Sequence, residues 1–359
     1  MTTRQLSGIT STESLKTLGL FNRFRSLTTL SALAACAAAL ALAPTARAQL
    51  CVGDLNGDRI VNGSDLGILL GQWGQVGSGD LDGNGFVSGS DLGLLLGGWG
   101  PCSVTVPNWA TLVEAMPDPA VVTDATLRAA ITASGMAWRV RDTATQIEML
   151  LVPMGTFVMG ETYVAEPVHS VTLTQAFYLG RHEVTQGQWV AKMGSNPSYW
   201  QGYSDSASRP VEQVSWNTIQ SFLNATGMRL PSEAEWEYAC RAGTTTAFNN
   251  GSNDDNTVGM IAWHSSNSGD QTHAVGGKAA NALGLHDMAG NVWEWVHDWY
   301  EGYSSGAQTN PLGPVSGTSC VLRGGSWDHS TYDVRSSARG YGTPAAAYDF
   351  IGFRVARVP

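Results

Sequence analysis

RLPSEAEWEYACRAG, residues 229–243, decides the fold class. Ser232 followed three residues later by Glu235 is a capping box behind Pro231, and Gly243 is a stop signal, so the stretch reads as one short capped helix. The same device recurs where Thr185 and Gln188 open a helix through Trp189 and Val190 that Gly194 ends. Around these lie short strand patterns and long loops, and a compact domain keeps such loops ordered only with ligands, ions or disulfides. Charged residues are 14% of the 359, against about 25% in an ordinary soluble chain, while Gly (42) and Trp (13) are plentiful. Irregular backbone pinned by aromatic rings is implied, and helix bundles and coiled coils are excluded. The class is α+β, and the length allows one large or two ordinary domains.

Residues 1–48 read as a bacterial-type signal peptide: Arg23 and Arg25 precede an apolar run from Leu27 to Leu42 that ends at Ala46-Arg47-Ala48. The run is short for a membrane anchor. Cleavage before Gln49 makes the protein secreted or cell-surface. Leu33-Ala34-Ala35-Cys36 offers a lipoprotein box as the alternative. The leader carries five basic residues and one acid, a net +4, so the formal charge of −10 becomes −14 on its removal. No basic patch offsets that, which excludes nucleic acid as a partner. Four cysteines remain, Cys51, Cys102, Cys240 and Cys320, an even number suited to two disulfides in an oxidising compartment.

DLNGDRIVNGSDLGILLGQWG (54–74) returns as DLDGNGFVSGSDLGLLLGGWG (80–100), a gapless repeat of 26 residues. Each copy spaces oxygen donors at loop positions 1, 3, 5, 9 and 12: Asp54, Asn56, Asp58, Asn62 and Asp65, then Asp80, Asp82, Asn84, Ser88 and Asp91. With the position-7 carbonyls of Ile60 and Phe86 they make two Ca²⁺ loops, because a hard cation takes six to eight oxygens. Arg59 at position 6 and Ser88 at position 9 depart from the usual pattern. Each loop is followed by a short apolar helix that can pack on its twin. Residues 51–102, a half EF-hand pair with no helix ahead of either loop, resemble the all-α dockerin module, and the resemblance implies docking to a cohesin-type protein. Cys51 and Cys102 flank the repeat, where a disulfide would join its ends.

Residues 103–146 read as a connector. Thr123 or Asp124 caps a helix over Leu127 and Ile131 that stops at Gly135, and Trp138–Arg141 with Ile147–Val152 form a hairpin into the domain of residues 147–359. There the motifs LVPMGTFVMG (151–160), EVTQ (183–186), PVEQVSW (210–216), RLPSEAEWEYACRAG (229–243), GLHDMAGNVWEW (284–295), LRGGSW (322–327) and GFRVA (352–356) occur in order. Together they resemble the formylglycine-generating enzyme (sulfatase-modifying factor) family. That resemblance implies a loop-rich fold of the C-type lectin type. It also implies one internal Ca²⁺, with Asp287 and Glu294 as charged ligands and Gly290 and Val292 as carbonyl donors.

The same resemblance places a copper site a few residues beyond Gly-Gly-Ser, built from two cysteine thiolates. Residues 327–339 contain no cysteine, and Cu(I) prefers soft thiolate donors, so no copper is expected. Ser326, Asp328 and His329 are the candidates left in the altered cleft. Cys240 matches a position that is disulfide-bonded in the family, where its usual partner corresponds to Ser336; Cys320 offers a substitute, and two free, buried thiols are the alternative. Glu183, Glu235, Glu237 and Glu294 are expected to pair inside the fold with Arg229, Arg241, Arg323 or Arg354. Trp200, Trp216, Trp263, Trp293, Trp295, Trp299 and Trp327 with Tyr199, Tyr300 and Tyr303 suggest an aromatic surface for a carbohydrate or peptide. The reading is an exported calcium-binding protein whose large domain binds or scaffolds. An enzyme of the same family with non-copper chemistry is the alternative, ahead of a true formylglycine-generating oxidase.

Overall fold

The computed structural model describes residues 51–359, so the leader reading for residues 1–48 lies outside the described residues. In the repeat, β1 (Ile60–Val61) precedes α1 (Gly63–Gly71), α2 (Gly89–Gly97) follows, and β2 (Gly100–Pro101) pairs antiparallel with β1. Asn62 and Ser88 cap the two helices, each with an aspartate three residues on, Asp65 and Asp91, closing a capping box. Val61, Leu69, Val87 and Leu95 form the module's core, with Leu55, Leu66, Leu81 and Leu92 packed against it. Each of these residues has its counterpart 26 positions away, so one half buries what the other exposes. Cys51 and Cys102 are disulfide-bonded across 51 residues. Arg59, the departure in the first loop, is buried and donates from Nε to the Thr132 carbonyl at 3.0 Å, which ties the repeat to the following helix.

The stretch read as a connector is part of the large fold. β3 (Ala110–Glu114), β4 (Arg139–Asp142), β5 (Glu148–Val152), β8 (Phe177–Gly180) and β14 (Ala356–Arg357) make a five-stranded sheet in the order β14-β8-β5-β4-β3. β3 is an edge strand that no apolar alternation announced, and its pairing with β4 makes residues 103–146 part of the domain. Between them α3 (Ala125–Ala133) begins at Asp124, whose carboxylate accepts from Leu127 N at 2.8 Å. β6 (Gly155–Glu161) and β7 (Ala165–Leu173) form a hairpin joined by the two-residue β10 (Gln308–Thr309). A four-stranded sheet, β12-β11-β9-β13, combines β9 (Trp293–Trp299), β11 (Cys320–Arg323), β12 (Arg339–Gly342) and β13 (Ile351–Phe353).

Three helices pack on these sheets: α4 (Gln186–Met193), α5 (Trp216–Thr226) and α6 (Glu233–Arg241). α4 has the expected Thr185 box and left-handed Gly194. α6 starts at Ser232 as read, but ends one residue early, with Ala242 itself in the left-handed region at φ 46°. α5 lies in a segment read as loop. Its signals were present, a Ser215 cap, buried Ile219, Phe222 and Leu223 at helical spacing, and left-handed Gly227. The continuous core runs through Trp138, Tyr178, Trp236, Trp295 and Phe353. Every residue of β8 is buried, as befits a strand covered on both faces.

The second expected disulfide is not formed. Cys240 and Cys320 are both buried free thiols, Cys240 facing the Met288 carbonyl and Asn249 while Cys320 is paired in register with Trp299 and Gly342. Among the described residues no helix is long and apolar enough to cross a membrane.

Candidate functional site

β11 runs into Gly324 and Gly325, at φ 96° and 72°, and this double turn carries the candidate cleft. A Cβ on Gly325 would lie 2.6 Å from Val334 Cγ1 and 2.8 Å from the Asp333 carbonyl, so only glycine lets the loop fold back this closely. Ser326 is fully buried beyond it, with Oγ 2.6 Å from His329 Nδ1. The His329 ring packs between Trp293 and Phe350, at 5.5 and 5.4 Å between centroids. Asp328 is exposed, so the three candidates divide into one joined pair and one solvent-facing carboxylate. Asp333 accepts from Ser330 N and Oγ within its own turn.

The arginines of this segment are all engaged. Arg323 binds Glu237 and donates to the carbonyls of Ser336, Ser337 and Ala338; Arg335 binds Glu161; Arg339 grips Glu233 at 2.6 and 2.8 Å. The expected internal pairs also form: Arg229 with Glu235, Arg241 with Glu237, and Arg354 with Glu294. Glu183 instead accepts from Asn291 Nδ2 and Val292 N, at 2.7 and 3.1 Å. Burial pushes the Cys240 thiol up to about 11 and the Cys320 thiol up to about 12, so neither is a thiolate donor at neutral pH.

Beneath the cleft Glu183, Asp287 and Glu294 are buried together. Burial, then the charges of Asp287 and Glu294, raise Glu183 well above the usual carboxylate range, and burial brings Asp287 to about 6. Arg354 is the guanidinium that opposes the rise in both. Asp287 accepts from Gly276 N at 2.7 Å, while both Glu294 oxygens take bonds from Arg354 and one also takes Trp236 Nε1. Gly290 at φ 77° passes so near the Trp263 backbone that a Cβ would be 2.1 Å from its carbonyl oxygen. The buried site therefore holds more negative than positive charge, with Asp287 carrying the fewest protein partners.

In the repeat, the Asp54 carboxylate accepts from Gly57 N and Arg59 N, and Asp80 accepts from Asn84 N and Gly85 N. Asp58 accepts from Ile60 N, while Asn84 accepts from Phe86 N. Asp65 and Asp91 are buried, yet backbone N–H groups outweigh burial and hold both below the usual aspartate value. Among the described residues, carboxylates converge within metal-holding distance only in the second loop, at Asp80, Asp82 and Asp91. The loops thus differ at position 3, Asn56 against Asp82. On the outer side Leu70 and Leu96 are 50% and 51% exposed, and Trp73 and Trp99 are 47% and 51% exposed, again 26 residues apart.

The expected aromatic surface separates into two clusters. Trp200 meets Tyr199, Tyr203 and Trp327, whereas Tyr300 stacks near Tyr341 with Arg339 lying over Tyr300 and Tyr303. Trp293, Trp295 and Trp327 are core. Two groups escaped the sequence reading. Glu212, whose carboxylate accepts from Tyr199 N and Trp200 N, is pushed by burial up to about 7. Asp298 shares an inward strand parity with Glu294, a signal that was available, and burial raises it to about 8.

Residues 136–359 match the family described as "Sulfatase-modifying factor enzyme 1-like domain". The formylglycine-generating enzyme of Mus musculus is 35% identical over 47% of this chain, which spans 50% of that protein. The formylglycine-generating enzyme of Streptomyces coelicolor is 30% identical over 64% of this chain and 94% of its own length. Among solved structures, Treponema denticola variable protein 1 superposes with a TM-score of 0.54 at 29% identity, covering 60% of this chain and 98% of that one. The large domain therefore has the mixed helix-and-sheet fold of these proteins.

Proposed function

Since this chain belongs to the sulfatase-modifying factor enzyme 1-like family, we propose that it is an exported, calcium-binding, non-oxidase member of it, a binding or scaffold domain joined to a dockerin-like docking module. The observation that carries the reading is the duplicated outer face of residues 51–102, where Leu70, Trp73, Leu96 and Trp99 stand half-exposed in two equivalent copies. An apolar patch that repeats with the fold and is not used by the core is the expected imprint of a partner. A cohesin-type protein suits it. The disulfide between Cys51 and Cys102 agrees with export.

Calcium belongs in both loops, held by Asp54, Asn56, Asp58, Ile60, Asn62 and Asp65, and by Asp80, Asp82, Asn84, Phe86, Ser88 and Asp91. The convergence of Asp80, Asp82 and Asp91 supports the second site most directly. A third ion, at Asp287 and Glu294 with the Gly290 and Val292 carbonyls, would relieve the excess buried negative charge around Glu183. Its contribution would be to hold loops together, a structural role.

Copper does not fit. The segment after Ser326 offers no thiolate, and the two thiols of the large domain are buried and held protonated. The enzymatic alternative rests on the 2.6 Å contact between Ser326 and His329, and the full burial of Ser326 argues against its use as a nucleophile.

The full chain, stripped with chelator and titrated with Ca²⁺, should bind two to three ions, capture an immobilised cohesin module only when loaded, and produce no aldehyde from a Cys-x-Pro-x-Arg peptide. Aldehyde formation would overturn the non-oxidase reading, and capture unaffected by chelator would overturn the docking one.

A further inference from the structure

A cavity of about 290 Å³ opens between the start of α6, the end of β9, the loop after it and β12, and Ser326, Asp328 and His329 are not among its lining residues. Its polar lining is His169, Glu233, Asp298, Glu301, Tyr303, Ser304, Gln308 and Arg339. Arg339 and Tyr303 are committed to groups within the wall. Arg339 gives Nε and Nη2 to Glu233 and Nη1 to the Glu301 carbonyl at 3.0 Å, and Tyr303 Oη donates to Glu233 at 2.9 Å. His169 Nδ1 lies 2.9 Å from the Pro167 carbonyl. A carbonyl only accepts, so Nδ1 carries a proton.

Among the acidic groups of the wall, the cavity leaves a buried oxygen open. Asp298 is 4% exposed and receives a single hydrogen bond, from Glu233 N to Oδ2 at 2.8 Å, leaving Oδ1 without a protein partner. The groups facing it are Glu233 and Glu235 from α6, Glu301 and Tyr303 from the loop, Cys320 from β11, His169 from β7, and one cation, Arg339 from β12. Burial first, then Glu233 and Glu235, push Asp298 up to about 8 against the pull of Arg339. Arg339, the cation among them, is itself gripped by Glu233. The other walls, Met159, Trp299 and Leu312, are apolar.

We propose that this cavity binds a primary alkylammonium group, the ammonium on the free Asp298 oxygen and the alkyl stem along Met159, Trp299 and Leu312. The ammonium meets the unpaired Asp298 oxygen, and a hydrocarbon stem meets a hydrocarbon wall. The group can come from a free amine or from a lysine side chain of a polypeptide. This site goes beyond the docking reading and is independent of calcium.

The test is calorimetric titration of the full chain with n-butylamine from pH 6 to 9 in saturating Ca²⁺. The ammonium binds the ionised carboxylate, so apparent affinity should rise about tenfold per pH unit up to pH 8 and level off by pH 9, well below the ammonium's own value of about 10.4. At pH 7 roughly one proton should be released per amine bound, measured from two buffers of different ionisation heat in the unmodified protein. Asp298→Asn should weaken binding at pH 9 at least tenfold, Arg141→Gln, outside the cavity, should leave it within about twofold, and n-butanol should not bind. Equal binding of Nα-acetyl-lysine N-methylamide identifies a polypeptide lysine; binding of butylamine alone identifies a free amine. Affinity that is flat in pH, no proton release, no heat at any pH, or equal binding by butanol overturns the proposal.

Discussion

Replacing Glu237 by Gln tests whether the arginines around the cleft build the fold. Glu237 is wholly buried and accepts from Gly160 N at 2.9 Å, Arg241 Nε at 2.8 Å, and Arg323 Nη2. Gln keeps the shape and one acceptor but removes the charge shared by two buried guanidiniums. The next anion, Glu233, is 3.8 Å from Arg323 Nε and is already gripped by Arg339. An uncompensated buried charge costs about 3–5 kcal/mol, a large part of a total of roughly 5–15 kcal/mol. At about 2–4 °C per kcal/mol the melting temperature should fall by roughly 6–20 °C. The loss should be greatest in near-UV signals, because Arg323 also anchors the carbonyls of residues 336–338. Calorimetry and urea unfolding of both proteins measure it, with Arg141→Gln as the control: Arg141 is 44% exposed in its pair with Glu148, and exposed pairs contribute about 0–1 kcal/mol. A Glu237→Gln loss no larger than the control's would refute the view that this ion network holds the loop.

Trp73→Ser combined with Trp99→Ser should abolish cohesin capture while changing stability by no more than about 0.5 kcal/mol, since both rings are half-exposed; a large drop in melting temperature would place them in a core instead. Replacing Cys51 and Cys102 by Ala opens a loop of 51 residues and should destabilise the repeat by about 4 kcal/mol on the chain-entropy argument, seen as unfolding of the module in weaker denaturant. Glu212 has its folded value raised by burial to about 7, so the folded state holds the extra proton and stability should fall as pH rises from about 4.5 to 7. Glu212→Gln should flatten that part of the stability curve, and an unchanged slope in the variant would show that another group sets it.

Whatever depends on neighbours along the chain is legible in the residues themselves. Thr185 and Ser232 announced α4 and α6 because a capping box is local chemistry. The 26-residue period announced the repeat's core and, with it, the equivalence of Leu69 and Leu95. The pairing of Glu235, Glu237 and Glu294 with arginines is expected because a buried charge needs a partner, whereas Glu183 bonds to Asn291 and Val292 instead.

Partners distant in the chain were decided only by the tertiary structure. Residues 103–146 read as a connector because the β3 edge strand has no alternation of its own; pairing with β4 puts it in the sheet. Cys240 and Cys320 remain thiols because an even count cannot say whether two sulfurs meet. Ser326 and His329 lie three residues apart and touch, whereas Asp328 between them points to solvent, a matter of how the double-glycine turn is pressed against Val334. The cavity at Asp298 exists because residues from β7, α6, β9 and β12, over a hundred and fifty positions apart at the extremes, converge on one carboxyl. Burial and field come from that convergence, and no stretch of sequence carries them alone.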